Sequence, residues 1–364
     1  MAEPFKNFID AALVARVATK LAAAWPAFDT KRFRRLAAHG LDGLEMKARA
    51  MQVCAALEAT LPADFDAAAA LCEAVLQGDD ALDGWALWSF GEFVARRGID
   101  RPERALQVLH ALTQRFTAEF AIRPFIVKHP ALVFATLERW TRDPSEHVRR
   151  LVSEGSRPRL PWGLRLASLV ADPAPTLPLL AALQDDPSEY VRRSVANHLN
   201  DIAKDHPALV AAWLEAHLPD ASPERQALLR HASRTLVKAG DARVLAAWGL
   251  GQPLRGTLAF TLAPPRVRVG EVLELQVEIT SRAAKPQRLV IDYAVHHVKA
   301  GGHTTPKVFK GWTLELPARG TLVLAKRHSM KAVTTRRYHA GRHAVSVQVN
   351  GRTLAEAPFD LELA

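Results

Sequence analysis

Between Asp143 and Trp162 the chain reads DPSEHVRRLVSEGSRPRLPW, crowding four arginines, two glutamates and one tryptophan into one helical pattern and its exit. At helical spacing Val148, Leu151, Val152 and Gly155 share one side, while Arg150, Glu154 and Arg157 recur at i, i+4 and i+7 on another. One face is set to pack and the other to meet something polar. A second stretch places Arg193, Asn197 and Asp201 at i, i+4 and i+8, beside an apolar side of Val191, Val195, Leu199 and Ile202. Acids on an otherwise basic surface weaken its hold on a polyanion, so Glu154 and Asp201 in this company point to catalysis. A plainer reading also fits. An Arg–Glu pair one turn apart is commonly a solvated pair worth about a few tenths of a kcal/mol, and a tryptophan after a turn commonly joins a core.

The elements that must position these residues are repeated. DPSEHVRRLVSE (143–154) and DPSEYVRRSVAN (186–197) agree at eight of twelve positions, 43 residues apart, which is the period of HEAT and armadillo helix pairs. Asp143 and Asp186 are expected as N-caps, each followed by Pro-Ser-Glu as a helix start prefers. A looser third copy begins at SPERQALLRHA (222–232). In such an array equivalent positions point into one groove, so Arg150 and Arg193 repeat a positive charge along it while Glu154 and Asp201 place acids in it. Pro158 and Pro161 stop the first helix, and Trp162 is expected at the head of the next.

Upstream, alanine- and leucine-rich helical patterns run over 9–24 and 44–57, with an aromatic helix over 81–98 that brings Trp85, Trp88 and Phe90 into a core. A further helix is expected over 102–123, stopped by Pro124, with Arg115 and Glu119 one turn apart. On its own Glu119 reads as a surface carboxylate. After 249–253 the code changes: Val267, Val269, Leu273, Leu275, Val277 and Ile279 alternate with polar residues. Similar short runs follow to residue 349, with Asn350-Gly351 as a turn signal, so an immunoglobulin-like β-sandwich without a disulfide is expected. The fold class is therefore multidomain: an all-α HEAT-like repeat solenoid over 1–252, then an all-β immunoglobulin-like sandwich over 256–364.

The composition narrows the partner. The 364 residues carry a net charge of +10, and +8 of it lies in residues 256–364, where 16 Lys+Arg stand against 8 Asp+Glu. An anionic partner follows, nucleic acid before membrane, since no basic segment with a strong apolar face stands out. MAEPFKNFID lacks a basic stretch followed by an apolar one, so a cytoplasmic protein is expected. Cys54 and Cys72 are the only cysteines, both in apolar helical patterns, and read as core. His296, His297 and His303 match no recognised ligand spacing, so neither metal nor cofactor is expected. Lysines near Gly301-Gly302, Lys307 and Lys310 among them, suit phosphate contacts.

Helix-pair repeats, the segments SEGSRPRLPW and VRRSVANHLNDIAKDHP, and a basic β-sandwich together resemble the AlkC family of bacterial alkylpurine DNA glycosylases. That family is related to the AlkD family, and one subgroup carries an added immunoglobulin-like domain. The resemblance covers nearly the whole chain, and the run Glu-Gly-x-Arg-Pro-x-Leu-Pro-Trp is its specific part. It implies hydrolysis of the N-glycosidic bond of cationic methylated bases, notably 3-methyladenine and 3-methylcytosine, in double-stranded DNA, without deep base flipping. It also implies that Glu154, Asp201 and Trp162 line the lesion site with Glu119 as a third carboxylate, and that Arg150 faces phosphate. Arg157, Arg159, Arg193, Lys307 and Lys310 complete the expected DNA contacts of a monomeric enzyme. A different class remains open: a non-catalytic repeat scaffold that binds damaged DNA or a protein.

Overall fold

The computed structural model of the chain describes residues 5–333 and 336–363. The first four residues of the N-terminal stretch discussed above lie outside them. By packing, the chain divides between Asp205 and His206 into two compact units.

The first unit is helical. Its helices are α1 (Ala11–Ala24), α2 (Thr30–Ala38), α3 (Met46–Thr60), α4 (Phe65–Ala74), α5 (Ala86–Arg97), α6 (Pro102–Thr113), α7 (Arg123–Lys128), α8 (Pro130–Trp140), α9 (Glu146–Gly155), α10 (Ala167–Ala171), α11 (Leu177–Leu183) and α12 (Glu189–Ile202). Helix α6 is shorter than its pattern promised. It stops at Thr113, and turns fill 114–122 before α7 begins with Pro124 in its first turn, where the missing N–H is not needed. Pro124 therefore marks a helix start, and Glu119 sits on a connecting segment.

The two repeat copies lead into α9 and α12, but their caps differ from expectation. Ser145 and Ser188 occupy the N-cap positions, and neither side chain caps. Asp143 and Asp186 lie two residues earlier, each accepting the backbone N–H of its serine, 2.8 and 2.9 Å away. This Asx turn lets the first arginine of each Val-Arg-Arg fold back. Arg149 donates to the carbonyls of Asp143 and Pro144, and Arg192 to those of Asp186 and Pro187. Arg149 also grips Asp186 of the next copy through Nε at 2.6 Å and Nη2 at 3.0 Å. The residues that start each helix thus also lock one copy to the other. Val148, Leu151 and Val152 of α9 and Val191, Val195, Leu199 and Ile202 of α12 are buried, as their periodicity requires. Cys54 and Cys72 are free and buried, and burial pushes both thiols up to about 12.

The second unit opens with α13 (Pro207–His217), α14 (Pro223–Ala232), α15 (Arg234–Ala239) and α16 (Ala242–Ala247). Ser222 caps α14, at the start of the loose third copy, by accepting from the Arg225 N–H. Strands follow: β1 (Gly256–Ala263), β2 (Arg266–Arg268), β3 (Val272–Ser281), β4 (Gln287–Val298), β5 (Thr304–Leu316), β6 (Thr321–Ser329), β7 (Gly341–Val349) and β8 (Arg352–Glu362). They form a three-stranded sheet, β1-β3-β6, and a five-stranded sheet, β2-β8-β7-β4-β5, antiparallel throughout except for β2 with β8. The alternation in β3 buries Leu273, Leu275, Val277 and Ile279, which pack with Tyr293, Val295, Val345 and Val347 of the larger sheet into two apolar clusters. Asn350 and Gly351 both have positive φ, 48° and 77°, and turn β7 into β8. Helix gives way to strand where the sequence changes code, while the last four helices pack as part of the sandwich unit. Among the described residues no helix is long and apolar enough to cross a membrane.

Candidate functional site

Helix α9, its exit loop, α12 and the 114–122 segment bring three carboxylates into one alternating chain of charges. Glu154, at the last turn of α9, is 6 % exposed, and Asp201, at the last turn of α12, is 2 % exposed. Arg157 joins them. Its Nη1 lies 2.6 Å from Glu154 Oε1, and its Nε and Nη2 each lie 2.8 Å from Asp201 Oδ2. Lys204 Nζ meets the other Asp201 oxygen at 2.8 Å, and Ser194 Oγ donates to Glu154 Oε2 at 2.6 Å. On the other side Arg150 reaches Glu119 Oε2 at 2.5 Å and Glu154 Oε1 at 3.6 Å. Thr117 Oγ1 donates to the same Glu119 oxygen at 2.8 Å. Among the described residues Glu119 Oε1 alone of the six carboxylate oxygens has no protein partner.

Arg157 was expected on DNA phosphate. It is instead buried, and its donors are committed to Glu154 and Asp201. Burial opposes its charge, but the two carboxylates outweigh that cost and hold it above the ordinary arginine value. Arg150 is likewise engaged with acids, and its guanidinium lies 5.1 Å from the centre of the Tyr190 ring. Arg159 forms a two-pronged pair with Asp205, at 2.6 and 2.5 Å, and Arg193 is exposed on α12. Lys307 and Lys310 are exposed on β5, in the second unit.

Trp162 does not head a helix. It sits in a turn with φ of 65°, and the next helix begins at Ala167. The ring is parallel to that of Trp88, centroids 6.1 Å apart, and meets Phe5 edge-on at 6.3 Å. Lys47 Nζ donates to its carbonyl at 3.2 Å. Arg123 ties this loop to α9: its Nη1 donates to Gly155 O at 2.8 Å and its Nε to Leu164 O at 2.5 Å. The side chain is wholly buried, and burial pushes it down to about 10, aided by the Arg157 charge. Gly155 must lack a side chain here, since a Cβ would stand 2.6 Å from Ile122 Cγ2.

Ser194, Tyr190, Arg123 and Lys204 join the site as well, outside the charge pattern that points to it in the sequence. A signal for two of them was present. The repeat copies differ at four of twelve positions, and those four include Glu154, Ser194 and Tyr190. Departures from a structural repeat mark where it has acquired a local task. Among the described residues no group of three or more His, Cys, Asp or Glu is arranged to hold a metal. His297 is buried and hydrogen-bonds Arg336 at 2.6 Å, while His296 pairs with Ser346.

Comparison with known proteins relates both parts of the chain to described families. A family model described as a DNA alkylation repair enzyme matches residues 116–236, which span all three carboxylates and Trp162. A second, described as the C-terminal Ig-like domain of the uncharacterised protein YhaZ, matches residues 257–363. The chain is 35% identical over 362 residues to the uncharacterized protein YhaZ of Bacillus subtilis (strain 168), covering 98% of this chain and 99% of the relative. It superposes with a TM-score of 0.94 on the Pseudomonas fluorescens alkylpurine DNA glycosylase AlkC bound to DNA containing an abasic site analog. That match is 37% identical and covers 99% of this chain and 100% of the other.

Proposed function

The chain belongs to the AlkC family of alkylpurine DNA glycosylases, and on that premise we propose that it hydrolyses the N-glycosidic bond of N3-methylated, cationic bases in double-stranded DNA. 3-Methyladenine and 3-methylcytosine are the proposed substrates. The observation that carries the proposal is the pair of buried carboxylates, Glu154 and Asp201, held on one guanidinium beside a third, Glu119. A ground-state protein gains little by burying such a chain of ions, because desolvation offsets much of the attraction. A reaction that develops positive charge gives the carboxylates a task.

A methylated cationic base is already a good leaving group and needs no proton from the enzyme. Two requirements remain: stabilising an oxocarbenium-like sugar, and orienting water. Glu154 and Asp201 are suited to the first, since their ligands fix their oxygens before the charge appears. Glu119 suits the second, because Oε1 keeps a lone acceptor for a water proton. Arg157 and Arg123 act as positioning residues. The exposed Trp162 ring offers a cation-attracting face to a base that stays largely stacked. We further propose that the helical part, 1–252, carries DNA binding and chemistry as a cytoplasmic monomer, with Arg150, Arg159 and Arg193 near phosphate. In the same reading residues 256–364 clamp the duplex, Lys307 contributing.

The test is base release from genomic DNA treated with a methylating agent, followed by mass spectrometry. Wild-type protein should liberate 3-methyladenine or 3-methylcytosine, and Glu154→Gln should lower release by about 10²–10³-fold while DNA binding persists. Intact binding with no base released by the wild type would leave a damage-binding scaffold instead.

A further inference from the structure

The second unit contains a cavity of about 160 Å³ between its helices and the larger sheet, lined by none of the residues assigned to the chemistry above. Five cations line it: Arg230 from α14, Arg234 and Lys238 from α15, Arg288 from β4 and Lys310 from β5. They come from four separate elements, so no single basic run in the sequence reveals them. Among the described residues Arg230, Lys238, Arg288 and Lys310 have no salt-bridge partner. A single acid, Asp292, is set back from solvent at 6 % exposure and accepts the Gly311 N–H at 3.1 Å.

The wall behind the cations is apolar. Val237, Trp248, Leu250 and Val290 supply it, and Arg230 lies over the Trp248 ring, 5.0 Å from its centre. The Trp248 Nε1 is already bonded to Ser233 Oγ, so the ring presents carbon rather than a donor. A cavity that wanted only inorganic phosphate would be lined with N–H and O–H groups. One that wanted only an apolar ligand would not collect five positive charges against one negative, since mutual repulsion costs stability unless an anion relieves it.

We propose that this cavity is a binding site for a nucleotide, with the phosphate among the Arg230, Lys238, Arg288 and Lys310 cations and the base against the apolar wall at Trp248. The nucleotide comes either free or as part of a DNA strand. None of the residues assigned to the chemistry lines the cavity, but Lys310, expected among the DNA contacts, does, so the strand as source rests on the glycosylase reading and the free nucleotide does not.

The full chain is titrated calorimetrically with deoxyadenosine 5′-monophosphate, with deoxyadenosine and with inorganic phosphate. Binding to an undamaged DNA duplex is followed by fluorescence anisotropy over a range of salt. Two variants accompany it: Arg288→Glu, which reverses one charge, and Thr313→Trp, which fills the cavity from its exposed edge without altering charge. Mononucleotide binding at least tenfold tighter than either fragment, and weakened at least tenfold by both variants, supports a free nucleotide. No mononucleotide binding, but duplex affinity reduced at least tenfold by both variants, supports a strand as the source. Duplex affinity lowered by Arg288→Glu alone reports general electrostatics and overturns the proposal. Inorganic phosphate bound as tightly as the nucleotide overturns it as well, since the apolar wall would then be idle, and so does the absence of any effect.

Discussion

Trp162 and Trp88 lie with their ring planes 1° apart, although one is 59 % exposed and the other 2 %. The buried ring orients the exposed one, and the Lys47 contact to the Trp162 carbonyl fixes the turn from the other side. Trp162→Ala should weaken excision of a cationic base by up to about 30-fold, the loss of a desolvated cation–π contact, while Trp162→Phe retains most of the activity. Measuring 3-methyladenine release by both variants decides it. Equal activity in all three proteins would remove the ring from recognition.

Arg157 is the shared counter-ion of two buried acids. Arg157→Met keeps much of the volume and strands Glu154 and Asp201, which should cost about 3–5 kcal/mol and lower the melting temperature on the order of 10 °C. Arg157→Lys should recover part of the stability but little of the activity, because an ammonium cannot make the two-pronged contact with Asp201. A thermal melt indistinguishable from wild type in Arg157→Met would show that the acids do not depend on it.

Arg123 spans Gly155 and Leu164, one residue beyond Glu154 and two beyond Trp162. Arg123→Met should reduce excision at least about tenfold through misplacement of the loop, with duplex binding unchanged. A rise in the duplex Kd with normal single-turnover rates would assign it to binding instead.

His198 carries a pH dependence that can be read from stability. Its Nδ1 donates to Ser153 O at 2.9 Å, its Nε2 is buried without a partner among the described residues, and burial pushes the ring down to about 3. The unfolded chain, with an ordinary value of about 6.5, takes up a proton that the folded chain refuses. Stability from this group is therefore complete above about pH 6.5 and is lost as pH falls towards 3. Urea midpoints of wild type and His198→Gln between pH 7 and 4 should converge as the pH drops. Parallel curves would show that the ring takes up its proton as readily in the fold as in the unfolded chain.

Local periodicity in the sequence was enough for the helices of the two repeat copies, the alternation of β3, the change from helix to strand near residue 250 and the charge imbalance. Each of these depends on neighbours a few residues apart. The run from Glu154 to Trp162 also identified the family, because its residue types are unusual together.

What the sequence alone did not decide is which way each charge points. Arg157 and Arg159 sit two residues apart, yet one is buried between Glu154 and Asp201 and the other pairs with Asp205 at partial exposure. Asp201 lies 44 residues from Arg157, and Glu119 lies 31 residues before Arg150 on a segment whose helical pattern proved misleading. Only the packing of α9 against α12 and the 114–122 turns makes these acids and bases neighbours. Burial and pairing belong to that packing, since desolvation and Coulomb attraction depend on distances in space rather than along the chain.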